Sequence, residues 1–103
     1  MMNPVEWFIN ERGAFCEACG CSPSYGNPFE RHHAIVKRRK GNAALDEPVN
    51  IELVCHICHA SGVVDSFEHR QEFAMRQINR GFDVKGWYES LDLKAPEEWL
   101  LNL

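Results

Sequence analysis

Five cysteines occur in this 103-residue chain as two groups, Cys16, Cys19 and Cys21, then Cys55 and Cys58. "CEAC" and "CHIC" are both CxxC turns, with thirty-five residues between them. A CxxC turn offers two sulfurs from one loop, and two such turns complete the tetrahedron of thiolates that zinc favours. The other reading is small buried hydrophobes in a reduced protein, but two paired motifs in so short a chain favour metal. Cys16, Cys19, Cys55 and Cys58 are therefore the expected ligands of a structural zinc, and Gly20 suits the positive φ that follows such a knuckle. CxC has a tighter reach, so Cys21 is assigned to packing. Such a site has no open position, and its binding free energy contributes directly to folding.

A second set of chemically capable residues lies in "ERHHAIVKRRK", positions 30–40. The adjacent His32 and His33 are open to three readings: metal ligands, a catalytic pair, or polar groups in a nucleic-acid contact strip. The cysteines absorb the structural metal, which leaves the pair free. Five of the eleven basic residues (Arg31, Lys37, Arg38, Arg39, Lys40) lie in positions 31–40, where there is no carboxylate. The chain as a whole carries a formal charge of -4, which opposes nucleic-acid binding for a uniform sphere, but a local positive surface remains available. Lys37, Arg38, Arg39 and Lys40 are the candidate phosphate contacts, since such contacts need charge and little sequence information. The competing reading is a solvated turn.

These groups need elements to position them. "PVEWFINERG" reads as a short helix with Pro4 in its first turn and Gly13 as its stop. The stretch "CEACGCSPSYGNP" is turn chemistry that needs something other than a core to hold it. "HHAIVKRR" reads as a strand, "KGNAALDEPVN" as turn and loop, and "IELVC" as a second strand. On a strand, neighbouring side chains point to opposite faces, so His32 and His33 divide naturally into one metal ligand and one base. After Cys58 the pattern is helical, and a longer helix begins near Ser66, where Asp65 before Glu68 resembles a capping box. Its apolar stripe is Phe67, Ala74, Ile78 and Phe82, with Gly81 as the end. "DVKGWYESLDL" and "APEEWLLNL" read as two more short helices, Pro96 fitting a first turn. His56 reads as a structural knuckle position and His69 as solvated surface. Trp87, Tyr88 and Trp99 read as core in preference to base-stacking aromatics. The expected fold is one α+β domain over 1–103.

The strings "ERHH" and "VNIELVCHICH" together resemble the HNH endonuclease family over residues 14–64, the small phage or bacterial type. Asn50 and His59 are nine residues apart, as in the family pattern, and His59 directly follows the second CxxC. The resemblance implies a ββα-metal core with a four-cysteine zinc site, residues 65–103 forming a helical extension. It implies that His33 is the general base, that His32 and His59 bind a catalytic divalent ion (Mg, Mn, Ni or Zn), that Asn50 holds the loop and orients His33 through a backbone or side-chain hydrogen bond, and that Glu30 orients a ligand or metal-bound water. Colicin-type members place a further histidine ligand four residues after the last one, where this chain has Val63.

The function this implies is hydrolysis of DNA phosphodiesters to 5′-phosphate and 3′-hydroxyl ends. A histidine is suited to take the proton from water, and a single divalent ion stabilises the leaving oxygen. One metal also suits a region with few acidic candidates. The alternative is a non-catalytic zinc-stabilised module that binds nucleic acid or protein. DNA is the expected partner, together with a phage packaging or replication protein. The N-terminus has no apolar run long enough for a signal peptide or membrane span, so a reducing cytoplasm is expected; the chain is separately expected to be a monomer.

Overall fold

A computed structural model describes residues 5–38 and 41–103. Its order is helix α1 (Glu6–Arg12), strand β1 (Phe29–His33), strand β2 (Ile51–Cys55), then helices α2 (His56–Ser61), α3 (Phe67–Asn79), α4 (Val84–Ser90) and α5 (Glu98–Leu101), with 3-10 turns at Ala43–Asp46, Pro48–Asn50 and Val63–Asp65. The α+β expectation holds at this level: a two-stranded antiparallel sheet surrounded by helices. The expected first-turn place of Pro4 lies outside the described residues.

β1 and β2 pair from Phe29 opposite Cys55 to His33 opposite Ile51. The expected first strand is displaced: it occupies 29–33 and stops where "HHAIVKRR" was to continue. The reason is where the next backbone groups find partners. Ala34 N–H still donates to the Asn50 carbonyl (2.9 Å), but the N–H groups of Ile35 and Val36 both donate to Asn50 Oδ1 (2.9 and 2.8 Å). A side chain thus replaces the ladder, and the chain turns inward. Ile35 and Val36 become core beside Leu45, Phe73, Val84 and Leu100.

Two further expectations are corrected in α3. Its N-cap is Ser66, whose Oγ accepts from His69 N–H (3.1 Å), and not Asp65. Its buried face is Phe73, Ala74 and Gln77, while Phe67 and Ile78 remain exposed. The stripe is rotated because Gln77 is drawn in to donate to the carbonyls of Pro48 (3.0 Å) and Val49 (2.9 Å). Pro96 precedes α5 instead of opening it, with Glu97 as N-cap. Glu97 is held there by Arg70, which also donates to the Ile35 carbonyl (2.6 Å). The C-terminal helices pack on the same core as residues 34–36: Tyr88 is buried, with Trp87 and Trp99 partly so.

α1 is fixed by its last residue. Arg12 donates to the carbonyls of Ile51 (2.5 Å) and Pro48 (2.9 Å) and pairs with Glu17 (3.0 Å). Phe8 packs against Ile51 and Leu53 on one sheet face. Arg12, with a side chain only 4% exposed, thereby ties helix, sheet and cysteine loop together. No helix among the described residues is long and apolar enough to cross a membrane.

Candidate metal centres and the histidine groove

The four cysteines come together as the spacing requires. The Sγ atoms of Cys16, Cys19, Cys55 and Cys58 all lie within 4.8 Å of one another, and no disulfide links them. Sulfurs bound tetrahedrally at about 2.3 Å from zinc are roughly 3.8 Å apart; Cys19 Sγ and Cys55 Sγ are separated by 3.9 Å. Each knuckle also aims an N–H at its first sulfur, Cys19 N to Cys16 Sγ and Cys58 N to Cys55 Sγ, both at 3.4 Å. Such donors favour the thiolate. Burial works against it at Cys55, but the Cys58 N–H and neighbouring donors bring that thiol down to about 6. The donor set fits a structural zinc. Gly20 has φ +79°, as the turn demands. Cys21 packs beside the cluster without belonging to it.

Glu17, between the knuckle cysteines, forms a second hub. Its N–H donates to the Leu53 carbonyl (2.8 Å), and its carboxylate accepts from Leu53 N (2.6 Å), Arg12 (3.0 Å) and Arg80 (2.5 Å). Burial opposes ionisation, yet the Leu53 N–H and the arginines outweigh it and hold this carboxyl below its usual value. Arg76 joins Glu17 (3.5 Å) to Glu52 (3.6 Å). Glu52 is completely buried and accepts from His69 Nε2 at 2.7 and 2.9 Å. This overturns the surface reading of His69: α3 turns it inward, and its side chain is 12% exposed. Burial pushes the Glu52 carboxyl up, against the pull of His69.

The other sheet-end residues form an open groove of about 540 Å³ lined by Glu30, Arg31, His32, His33, Lys37, Arg38, His59 and Asp65. Strand alternation sends Glu30 and His32 to one face and His33 to the other. All three line the groove because β1 ends at His33 and the chain bends there. Glu30 accepts from His59 Nδ1 (2.8 Å) and from His56 Nδ1 (2.9 Å). His56 thus meets a groove residue from the exposed side of its knuckle. The hydrogen bond from His56, joined by that from His59, holds the Glu30 carboxyl below its usual value. With Nδ1 donating to a carboxylate, His59 keeps Nε2 as the free ring nitrogen, the arrangement in which metal-binding imidazoles are held.

His32 is 5% exposed, and its ring centre lies 5.0 Å from that of His59. Burial lowers its pKa, with Asp65 pulling the other way, so the ring favours the neutral, ligand-competent form. Its Nε2 lies 3.2 Å from the Val64 carbonyl and 3.6 Å from Asp65 Oδ1. His33 Nε2 is 2.7 Å from Asp46 Oδ1, a partner supplied by the loop before Asn50.

Asn50 is fully buried and makes four side-chain bonds: two accepted from Ile35 and Val36, two donated to the carbonyls of Val36 and Leu45 (both 2.9 Å). It grips the backbone on both sides of the loop. None of those bonds reaches the His33 ring, and the side-chain partner there is Asp46. Lys37 and Arg38 both line the groove instead of alternating across a strand, since the strand ends earlier. Arg39 and Lys40 lie outside the described residues. The region is also richer in acid than its sequence suggests, because Asp46 and Asp65 arrive from loops. Comparison with family models, curated proteins and solved structures finds no match.

Proposed function

We propose that the protein is a metal-dependent DNA endonuclease whose active site is the histidine groove. The observation that carries this reading is the arrangement of two adjacent histidines with different partners: buried His32 beside the partly exposed His59, and His33 at the strand end against a carboxylate. A divalent cation held by His32 and His59 would polarise a phosphoryl oxygen and stabilise the leaving 3′-oxygen. Glu30 positions His59 through Nδ1. With Nε2–H donated to Asp46, His33 keeps Nδ1 for the proton of the attacking water, and the carboxylate stabilises the imidazolium that results, as in hydrolase triads. The hydrogen bond from His33 holds Asp46 below its usual value, so this partner stays ionised through neutral and mildly acidic pH. Arg31, Lys37 and Arg38 give the groove the positive charge that a phosphate chain needs. Asn50 keeps the turn after His33 in register with the loop that carries Asp46.

The test is a supercoiled plasmid incubated with zinc-loaded protein and Mg, Mn or Ni in turn. Relaxed circles that DNA ligase reseals are the expected product, since hydrolysis leaves 5′-phosphate and 3′-hydroxyl ends. Plasmid left intact with every ion would refute the reading in favour of a binding module.

A further inference from the structure

A second cavity lies where α3 gives way to α4, measuring about 290 Å³ and lined by Glu47, Pro48, Val49, Phe82, Asp83 and Trp87. It shares no lining residue with the histidine groove. Its floor is apolar, because Val49 belongs to the main core and Phe82 and Trp87 pack against that core while staying partly accessible. Glu47 and Asp83 are exposed and supply its charged rim.

Each wall is fixed by the chain around it. Phe82 N–H donates back to the Gln77 carbonyl (3.0 Å), which holds the aromatic ring at the end of α3. Asp83 caps α4, its Oδ1 accepting from Gly86 N–H (3.0 Å). One turn further on, Trp87 Nε1 donates to Glu47 Oε2 (2.8 Å), so the indole bridges α4 to the loop before Asn50. Both carboxylates accept from neutral N–H groups, bonds that leave their negative charge in place. Residues 81–103 carry five carboxylates against Lys85 and Lys94, and neither lysine lines the cavity.

This combination selects its occupant by charge. Two carboxylates repel nucleic acid and anionic lipid headgroups, and a neutral apolar anchor would cover the floor while offering the rim nothing. A guanidinium on a hydrocarbon stem satisfies both parts: the stem covers apolar surface, and the planar head stacks on aromatic rings and donates to carboxylates. Lysine matches less well, since its ammonium is more strongly hydrated and does not stack. We infer that this cavity is a docking pocket for an arginine side chain of a partner protein. It takes a single side chain and so serves as the anchor of a larger contact with a basic segment. The pocket uses none of the groove residues and stands whether or not the protein cuts DNA.

Zinc-loaded protein is titrated with acetyl-Gly-Arg-Gly-amide at millimolar concentration, following the indole N–H resonances of Trp7, Trp87 and Trp99. The Trp87 resonance, assigned with Trp87→Phe, should shift to saturation while the other two stay in place. Glu47→Gln and Asp83→Asn each keep an oxygen for the existing hydrogen bond and remove only the charge. Their thermal midpoints should match wild type while arginine binding weakens about threefold in each. The same peptide with norleucine in place of arginine should shift Trp87 far less. A Trp87 resonance indifferent to the arginine peptide overturns the inference, as does equal binding of the two peptides or unchanged affinity in both variants. Self-association in sedimentation that Glu47→Gln abolishes would also overturn it, assigning the pocket to a second copy of the chain.

Discussion

Asn50 shows how much one side chain can determine. It satisfies four backbone groups that would otherwise be buried without partners, and leaving such groups unpaired costs about 1–3 kcal/mol each. Asn50→Ala should therefore lower stability by roughly 3 kcal/mol or more, measured by denaturant unfolding of the zinc-loaded protein. A loss below about 1 kcal/mol would show that water or a shifted loop replaces the amide. Asp46→Asn tests the partner of His33. It should reduce cleavage by about tenfold or more while leaving Mn²⁺ affinity and the thermal midpoint unchanged; a parallel loss of metal binding would place Asp46 in the cation shell instead. Asn50 was legible only through the resemblance, whose pattern places an asparagine nine residues before His59. Asp46 was not, because its meaning depends on a loop closing thirteen residues from His33.

At the scale of elements, the cysteine loop is held to the rest by charge as well as by metal. Glu17 has a carboxyl pKa below its ordinary value, so the unfolded chain takes up a proton before the folded one does, and stability falls with falling pH. That contribution is complete above the unfolded value of 4.5 and is lost as pH drops through the folded value. Glu17→Gln should be less stable than wild type at neutral pH, and the difference should shrink as the pH is lowered. A pH-independent difference would mean that the carboxylate charge contributes nothing. Gly62→Ala tests the turn after α2: no neighbour lies nearer than 4.0 Å to an added Cβ, so the cost is conformational, about 1–2 kcal/mol, or a thermal midpoint lower by several degrees. The second strand and the first helix could be read from hydrophobic pattern and glycine stops. The end of β1 could not, since Asn50 caps the strand from seventeen residues beyond His33. Nor could the inward turn of His69, which is set by a carboxylate on the neighbouring strand.

At the scale of the molecule, the hairpin and the five helices among the described residues enclose small separate cores. The irregular loop at 14–28 contributes few buried side chains, so the cysteine cluster is the expected source of its order. Cys55→Ser, or a strong chelator, should abolish cooperative unfolding, because structural zinc supplies folding free energy on the order of 10 kcal/mol or more; a chelated protein that melts as before would show that the cluster needs no metal. On the proposed nuclease reading, the net charge of -4 opposes DNA binding and the basic residues Arg31, Lys37 and Arg38 of the groove favour it. Affinity should accordingly fall steeply with salt.

The central claim concerns the division of work between two adjacent histidines, and it is tested most directly by cleavage of supercoiled plasmid with saturating Mn²⁺ by wild type and His33→Ala. A general base contributes about 10²-fold or more to such a reaction. The account predicts a loss of that size in His33→Ala with Mn²⁺ affinity and thermal midpoint unchanged. A variant that cuts as fast as wild type would contradict it.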